Sequence, residues 1–568
     1  MNIDEAVFQK IGTLFSSYQS LQVPGFAIGI LNDVGELIHH AGFGQANLEL
    51  LSPITKNTVF DIGSMAKQFV GFLIAILIDE GKLSPTQKLS SVFPSWPKFY
   101  DNIEIQHLLY HTSGLWNYTT LCYYIIGYHE TDAPTKEEII QILQRQPKYK
   151  FHPGSQFEYN DSNYFLLALL LERILHKPID LIAKERIFDP LQMHQTLFRT
   201  THAQVIPNRA ASYVSYPIKF TSPYTYDRTL VKEKKFFTKI SNYEHVGAEG
   251  VFSSVNDLAI WQRNLLNNIL GKNPSHVLEL FISPGELNSR ELISYGYGIE
   301  IHESQGKSFI GHCGAFQGYT SCLLNYSTEF FSIIVLGNHL IENAWNVRDK
   351  IASILRSNEN STQKEPKLNN HEKIIPNSLS RGFIGRYQNP DTSSIISIEE
   401  ICNKLCMKIN SEVSKPFQYQ KDGNLYFNSE NWVQFSKFVK KIPKILKYHL
   451  GSKILCFERF VNESLLPEKL TEYLGEYHCE ILNTSFQVRN YEGKLLLKNK
   501  NPHFCSLDLL YTPTIPDSFE SYDPHPYAMF ITFQREKSIE KSDRRKIISF
   551  TYRDYDGDKR EEFEFKKL

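Results

Sequence analysis

An α+β fold is expected, followed by an all-β region, and three observations carry that expectation. Helical stripes stand at both ends of the first 355 residues, strand-like segments lie between them, and a large helical stretch interrupts the strands. From about residue 377 the pattern changes to short alternating strands with few helical signals. At 568 residues the chain is too long for a single core.

The elements follow in order. Ala6, Val7, Ile11, Leu14 and Phe15 form an approximate helical stripe over residues 4–19, which Pro24-Gly25 ends. Phe26–Leu31 and Leu37–His40 read as two strands around the turn Asn32-Asp33-Val34-Gly35. Thr55–Phe60 leads into Asp61-Ile62-Gly63-Ser64-Met65-Ala66-Lys67-Gln68 and the apolar run Phe69–Ile78, a buried helix with Gly81 as its C-terminal stop. Leu83–Phe93 reads as loop and Ile103–Tyr110 as a short helix ending in His111-Thr112-Ser113-Gly114-Leu115. Helices are expected over Phe165–Leu175 and Val255–Leu266, with a tight turn at Gly247-Ala248-Glu249-Gly250. The Tyr-, Lys- and Pro-rich stretch 200–245 lacks a clear period and reads as an irregular excursion over one side of the site. Tyr297–His302, Ser308–Ile310, Thr320–Asn325 and Phe331–Leu336 are successive strands, and Ile341–Leu355 is a helix packed across them. Joined to the N-terminal hairpin in one antiparallel sheet, they would set Ser64 beside an edge strand holding His312.

Composition excludes several classes. Hydrophobic residues make up 42% and charged residues 22%, as in a folded globular protein, and the formal net charge of −1 offers nothing to nucleic acid or an anionic membrane. The first residues lack the basic start and apolar core of a secretory signal, and Phe69–Ile78 is about half the length that spans a bilayer. A cytoplasmic location is the expectation. The eight cysteines show neither disulfide-framework nor zinc-type spacing, so reduced thiols are expected and no metal or cofactor is called for.

Residues 357 to about 376 are polar, nearly free of large apolar residues, and read as a linker. Beyond it, Phe383-Ile384-Gly385-Arg386-Tyr387 is echoed by Tyr473-Leu474-Gly475-Glu476-Tyr477. That echo fits two small antiparallel β domains, 377–465 and 466–568, or one lipocalin-like barrel over 377–568.

Ser64 and Lys67 are three apart, so on a helix they share a face, and a serine hydroxyl becomes nucleophilic when a base is within reach. Ser95–Lys98, Ser304–Lys307, Ser361–Lys364 and Ser538–Lys541 repeat the spacing, but only Ser64 opens a long apolar segment. Acyl transfer also needs a proton shuttle and an oxyanion site. A serine at a helix N-terminus gains from the dipole as negative charge develops.

Five ordered motifs resemble the serine β-lactamase-related hydrolases, the family of class C β-lactamases, D-aminopeptidases, D,D-peptidases and related esterases. They are Val23-Pro24-Gly25-Phe26-Ala27-Ile28, Phe60 to Lys67, Leu108 to Leu115, Pro153-Gly154 through Leu167, and Gly311-His312-Cys313-Gly314-Ala315-Phe316-Gln317-Gly318. The resemblance covers roughly residues 20–355 and implies a β-lactamase/penicillin-binding-protein-like catalytic domain over 1–356: an antiparallel sheet with helices on both faces and a helical insertion. It implies Ser64 as the acylated nucleophile, Lys67 and Tyr159 as proton-transfer groups, and His312 where relatives carry a lysine or another residue. An imidazole there would titrate near neutrality and bond Tyr159 or a substrate carboxylate. The backbone N–H groups of Ser64 and Ala315 would form the oxyanion hole, Gly314 and Asp161 would support the site, and Asn117 or Tyr118 would line the cleft.

One departure matters. The family's asparagine position, two after Tyr159, is occupied by Asp161. A carboxylate there would hold Lys67 charged and move the general-base role towards Tyr159; Asn163 is the other candidate amide. The implied activity is hydrolysis of an amide or ester through an acyl-enzyme, on a D-aminoacyl peptide, a β-lactam or a small ester. Its partner would be a small-molecule or short-peptide substrate, with the oligomeric state left open. The rival is a catalytically weak binding or scaffold protein acting through its C-terminal β domains. The complete set Ser64, Lys67, Tyr159 and His312 argues against that rival, and Asp161 argues for it.

Overall fold

The computed structural model describes residues 5–122 except 19–21, and 134–359 except 147, 305–306, 341 and short stretches between 216 and 243. Beyond residue 384 it describes mainly the strands. The expected linker falls largely on 360–383, outside the described residues. By internal contacts the chain divides into two compact units, one of Met1–Tyr124 and Tyr128–Glu365 and the other mainly of Pro366–Leu568.

The first unit is built on one six-stranded antiparallel sheet. Its order is Glu300–Ser304, Lys307–Phe316, Tyr319–Tyr326, Phe331–Gly337, Phe26–Asn32 and Leu37–Phe43. The expected hairpin thus joins the later strands, Phe26 opposite Gly337 and Asn32 opposite Phe331. Alternation divides these strands between two faces. Phe26, Ile28, Ile30, Ile333 and Val335 share a buried cluster with Val7 and Ile11 of the Glu5–Thr13 helix and Val347, Ile351 and Leu355 of the Ala344–Glu359 helix. On the other face the Val255–Leu266 helix approaches so closely that a Cβ at Gly29 would stand 2.7 Å from Val255 Cγ1.

The edge of the sheet departs from expectation. Glu300–Ser304 is the outer strand, not the one holding His312. It pairs only with Lys307–Gly311, so the half running from His312 to Phe316 extends beyond it and faces the Ser64 turn. Two further differences are local. Leu89–Val92 forms one helical turn inside the expected loop, and the Phe165 helix starts earlier, at Asp161, behind the capping side chain of Asn160.

The Ala66–Asp79 helix is buried on every side from Ala66 to Leu77, as its uniformly apolar sequence requires. Phe69 and Phe72 pack on Trp261, Phe72 also meets Phe281 edge-on, and the Trp261 indole donates to the Gln68 side chain (2.9 Å). Gly81, at φ +71°, ends the segment. No described helix is long and apolar enough to cross a membrane.

In the second unit the described strands fall into two sheets. One is open, with nine strands drawn from Gly385–Gln388 to Lys453–Phe460; the other is a closed barrel of eight, from Gly475–Cys479 to Lys559–Lys567.

Gly71 tests how the central helix is seated. Alanine has the higher helix propensity, by about 1 kcal/mol. Here, however, its Cβ would lie 2.0 Å from the Tyr297 carbonyl oxygen, a backbone atom that cannot swing aside. Overpacking of this kind costs about 1–3 kcal/mol, so Gly71→Ala is expected to lower the urea midpoint at unchanged m-value. An equal or higher midpoint would contradict this seating.

Candidate active site

Ser64 lies in a short 3₁₀ turn, Gly63–Met65, that runs into the Ala66–Asp79 helix. Local hydrogen bonds hold the turn. The Gly63 N–H donates to Asp61 Oδ1 (2.9 Å), Ile62 N–H to the Val251 carbonyl (3.0 Å), and Ser321 Oγ to the Ile62 carbonyl (2.6 Å). Gly63 takes φ +51°, and a Cβ on it would meet Ala315 N at 2.9 Å. A Cβ on Gly314 would stand 2.1 Å from the Ile62 carbonyl oxygen and 2.9 Å from Ser64 N. Both glycines therefore let backbone lie directly on backbone. The turn and the Gly314–Ala315 segment, whose amides are the expected oxyanion donors, are brought into contact by that absence of side chains.

The helical spacing of Ser64 and Lys67 brings Lys67 Nζ 3.1 Å from Ser64 Oγ. The same nitrogen donates to Asp161 Oδ1 (2.7 Å) and to the Ala248 carbonyl (3.0 Å), with the Lys67 side chain fully buried. Three acceptors match the three N–H groups of an ammonium; a neutral amine has only two. Asp161, at the first position of its helix, is thus the partner of Lys67 that the sequence departure suggests. Asn163 points elsewhere: it accepts from Ser113 Oγ (2.5 Å) and approaches His111 Nδ1 (3.1 Å).

Tyr159 precedes the Asn160 cap, and its ring lies 4.7 Å from Lys67 Nζ. Its hydroxyl is buried and makes no hydrogen bond of normal geometry among the described residues. Burial first, and then the Asp161 charge, push this phenol well above its usual pKa, with Ser64 the side chain that opposes them. Burial and Asp161 together therefore favour a protonated Tyr159, which weighs against the expected base role for that phenol. His111, at φ +55°, pins this segment. Its carbonyl accepts from Glu158 N (2.8 Å) and its Nδ1 from Asn160 N (3.1 Å).

His312 differs from expectation. Nε2 is paired with the buried Tyr295 hydroxyl (3.1 Å) and Nδ1 with the Cys313 carbonyl (2.5 Å), so both ring nitrogens are engaged. The Tyr159 and His312 rings lie 6.0 Å apart, without a hydrogen bond between them. Burial, opposed by the nearby Glu300 carboxylate and aided by the Lys67 charge, lowers the His312 pKa below its ordinary value and so favours the neutral ring. Tyr118 also differs. It is 1% exposed and its hydroxyl donates to the buried Glu249 carboxylate, so it underlies the site instead of lining an open cleft. The partly buried Asn117 accepts from Thr119 N (3.2 Å) and Oγ1 (2.8 Å) through its side-chain oxygen.

Asp61, Ala248, Tyr295 and Ser321 escape the sequence reading as contributors to the site. Ala248 alone carried a signal, the two glycines at 247 and 250, which take φ +127° and +97° and expose its carbonyl to Lys67.

The Beta-lactamase family model matches residues 6–357, more than half of the chain. The protein belongs to the Beta-lactamase family, and its first unit has the β-lactamase/penicillin-binding-protein-like fold. Among curated proteins it is 26% identical to "Penicillin-binding protein 4*" of Bacillus subtilis over 54% of this chain and 66% of that one. It is 23% identical to a D-aminopeptidase of Gluconobacter oxydans over 56% of each chain. The chain thus spans between about half and two thirds of these relatives' lengths. Among solved structures, the octameric penicillin-binding protein homologue from Pyrococcus abyssi superposes with a TM-score of 0.56 at 20% identity, covering 79% of this chain and all of that one.

Burial of neutral histidines sets a pH dependence of stability. Burial lowers the pKa of both His111 and His312 in the folded state. Below the ordinary value of about 6.5 the unfolded chain therefore binds protons that the folded chain does not, so stability is present above about pH 6.5 and is lost as pH falls. Each such histidine contributes up to about 1.4 kcal/mol per pH unit until its folded pKa is reached. Urea unfolding at pH 7.5 and 5.5 should show this loss, and His312→Gln should reduce it. An unreduced loss in the variant would show that His312 is not held neutral.

Proposed function

We propose that this protein is a serine hydrolase that cleaves an amide or ester through an acyl-enzyme on Ser64, with D-aminoacyl amides or short D-aminoacyl peptides as its substrate class. The supporting observation is the buried Lys67 ammonium held by Ser64, Asp161 and the Ala248 carbonyl beside the backbone of Gly314–Ala315. The substrate class rests on the D-aminopeptidase relatives.

Asp161 shapes the proton traffic. As Ser64 Oγ attacks the carbonyl carbon, its proton passes to Lys67, while Lys67 passes one of its own to Asp161. The relay moves one proton along contacts of 3.1 Å and 2.7 Å; Lys67 stays charged as Asp161 is neutralised, and the negative charge that balances it becomes the oxyanion. The amides of Ser64 and Ala315 receive the oxyanion. Tyr159, held as a phenol, is suited to protonate the leaving nitrogen or oxygen. Deacylation reverses each transfer: water gives a proton to the Tyr159 phenolate, and Asp161 returns its proton through Lys67 to Ser64. The sum is one water consumed per bond cleaved.

A fluorophosphonate should add to the wild type in intact mass and not to Ser64→Ala, whose turnover of D-aminoacyl amides should fall by at least about a thousandfold. Labelling unaffected by Ser64→Ala would remove the nucleophile. Asp161→Asn leaves Lys67 without its proton acceptor. Its rate at pH 7 should fall by roughly a hundred- to ten-thousandfold, and its pH–rate profile should differ from that of the wild type. A pH–rate profile matching the wild type would eliminate the relay.

A further inference from the structure

We propose that Cys313 and Cys322 are an oxidation site, a reversible cross-strand disulfide built into the strand that carries His312, Gly314 and Ala315. The two cysteines are directly opposite each other in the register of the Lys307–Phe316 and Tyr319–Tyr326 strands. Facing residues of antiparallel strands have Cα atoms about 4.5–5.5 Å apart, within the roughly 4.4–6.8 Å that a disulfide spans, so no backbone rearrangement is needed. Both are free thiols, with their sulfurs in contact at 2.6 Å.

Their surroundings suit thiol exchange. Arg348 Nη1 lies 3.6 Å from Cys313 Sγ and 3.5 Å from Cys322 Sγ, placing a fixed positive charge where a thiolate must form. Cys322 is fully buried and Cys313 half-buried, which orders the steps. A small-molecule disulfide, RSSR, reaches Cys313 first. The Cys313 thiolate attacks one sulfur, forming a protein–SR mixed disulfide and releasing RSH after proton uptake. Cys322 then attacks the Cys313 sulfur, the S–SR bond breaks, and a second RSH leaves. The two thiols are oxidised by two electrons and one RSSR is reduced to two RSH. Cys322 and Burial push the Cys313 thiol up, so the first step is slow at neutral pH and speeds as pH rises.

The position gives the bond its consequence. Cys313 supplies the carbonyl that holds His312 Nδ1, and the next two residues lie against the Ser64 turn. A tie across the strands at this point adjusts the pitch of the backbone that faces the nucleophile. Formation of this cross-link does not depend on acylation of Ser64.

The full chain is incubated with oxidised glutathione at pH 8, quenched with iodoacetamide, and digested for peptide mass mapping. The expected product is a Cys313–Cys322 cross-linked peptide that dithiothreitol abolishes. Cys313→Ser should retain an alkylatable Cys322, and Cys322→Ala provides a second variant should either fold poorly. Recovery of both cysteines as alkylated thiols, or of Cys313 only as its glutathione adduct, overturns the site. In parallel, fluorophosphonate labelling of the oxidised chain should change by at least about twofold and return on reduction. An unchanged rate with the cross-link present overturns the link to the nucleophile strand. No labelling of the reduced chain would count against the proposed hydrolase but leave the cross-link result standing.

Discussion

The Lys67 ammonium sets the terms for everything around it. A charged amine removed from water costs several kcal/mol unless its protons are all met, and breaking such a pair leaves an uncompensated buried charge. Here the partners arrive from three separate places: Ser64 one turn earlier, Asp161 at the head of another helix, and a carbonyl from the 247–250 turn. Each must be delivered within hydrogen-bond reach of a side chain with no exposed surface. The capping of Asn160, the anchoring of residues 158–160 on His111 and the positive φ angles of Gly247 and Gly250 all follow from that demand.

The second constraint is how closely the helix that follows Ser64 is packed. Gly71 and Gly298 leave no room for a Cβ, which would lie 2.0 Å from the Tyr297 oxygen and 2.2 Å from the Lys67 oxygen respectively. Gly63 and Gly314 do the same at the turn. The helix is thus fixed along its length by backbone on either side, and a 3₁₀ turn can present Ser64 without a flexible hinge beneath it. Rigidity of this kind is what preorganised oxyanion donors need, since they stabilise developing charge only if they do not have to move to meet it.

Much of the first unit was legible. Short apolar runs marked the strands from 26 to 40 and from 297 to 336, although Leu37–Phe43 is only partly buried. The all-apolar run after Lys67 marked a helix buried on every side. Boundaries were less legible: Asp161 begins its helix four residues before the apolar stripe does, because Asn160 caps it and polar residues occupy its first turn. The exchange of asparagine for Asp161 pointed correctly to Lys67, but its effect on Tyr159 depends on burial and could not be read from spacing.

Sequence alone determined that Ser64 and Lys67 share a face and that an antiparallel sheet joins the two ends of the first unit, since helix and strand periodicities are local properties of the chain. Order and identity of the motifs named the family for the same reason. Tertiary structure decided what the groups near Ser64 are bonded to. It turned both His312 nitrogens to Tyr295 and Cys313, placed Tyr118 on Glu249, brought the Ala248 carbonyl to Lys67, and set Cys313 against Cys322. Apart from the local His312–Cys313 bond, these are contacts between residues far apart in the chain or across a register. They are settled by which backbones can approach and which buried charges must be met, and neither is written in any short stretch of residues.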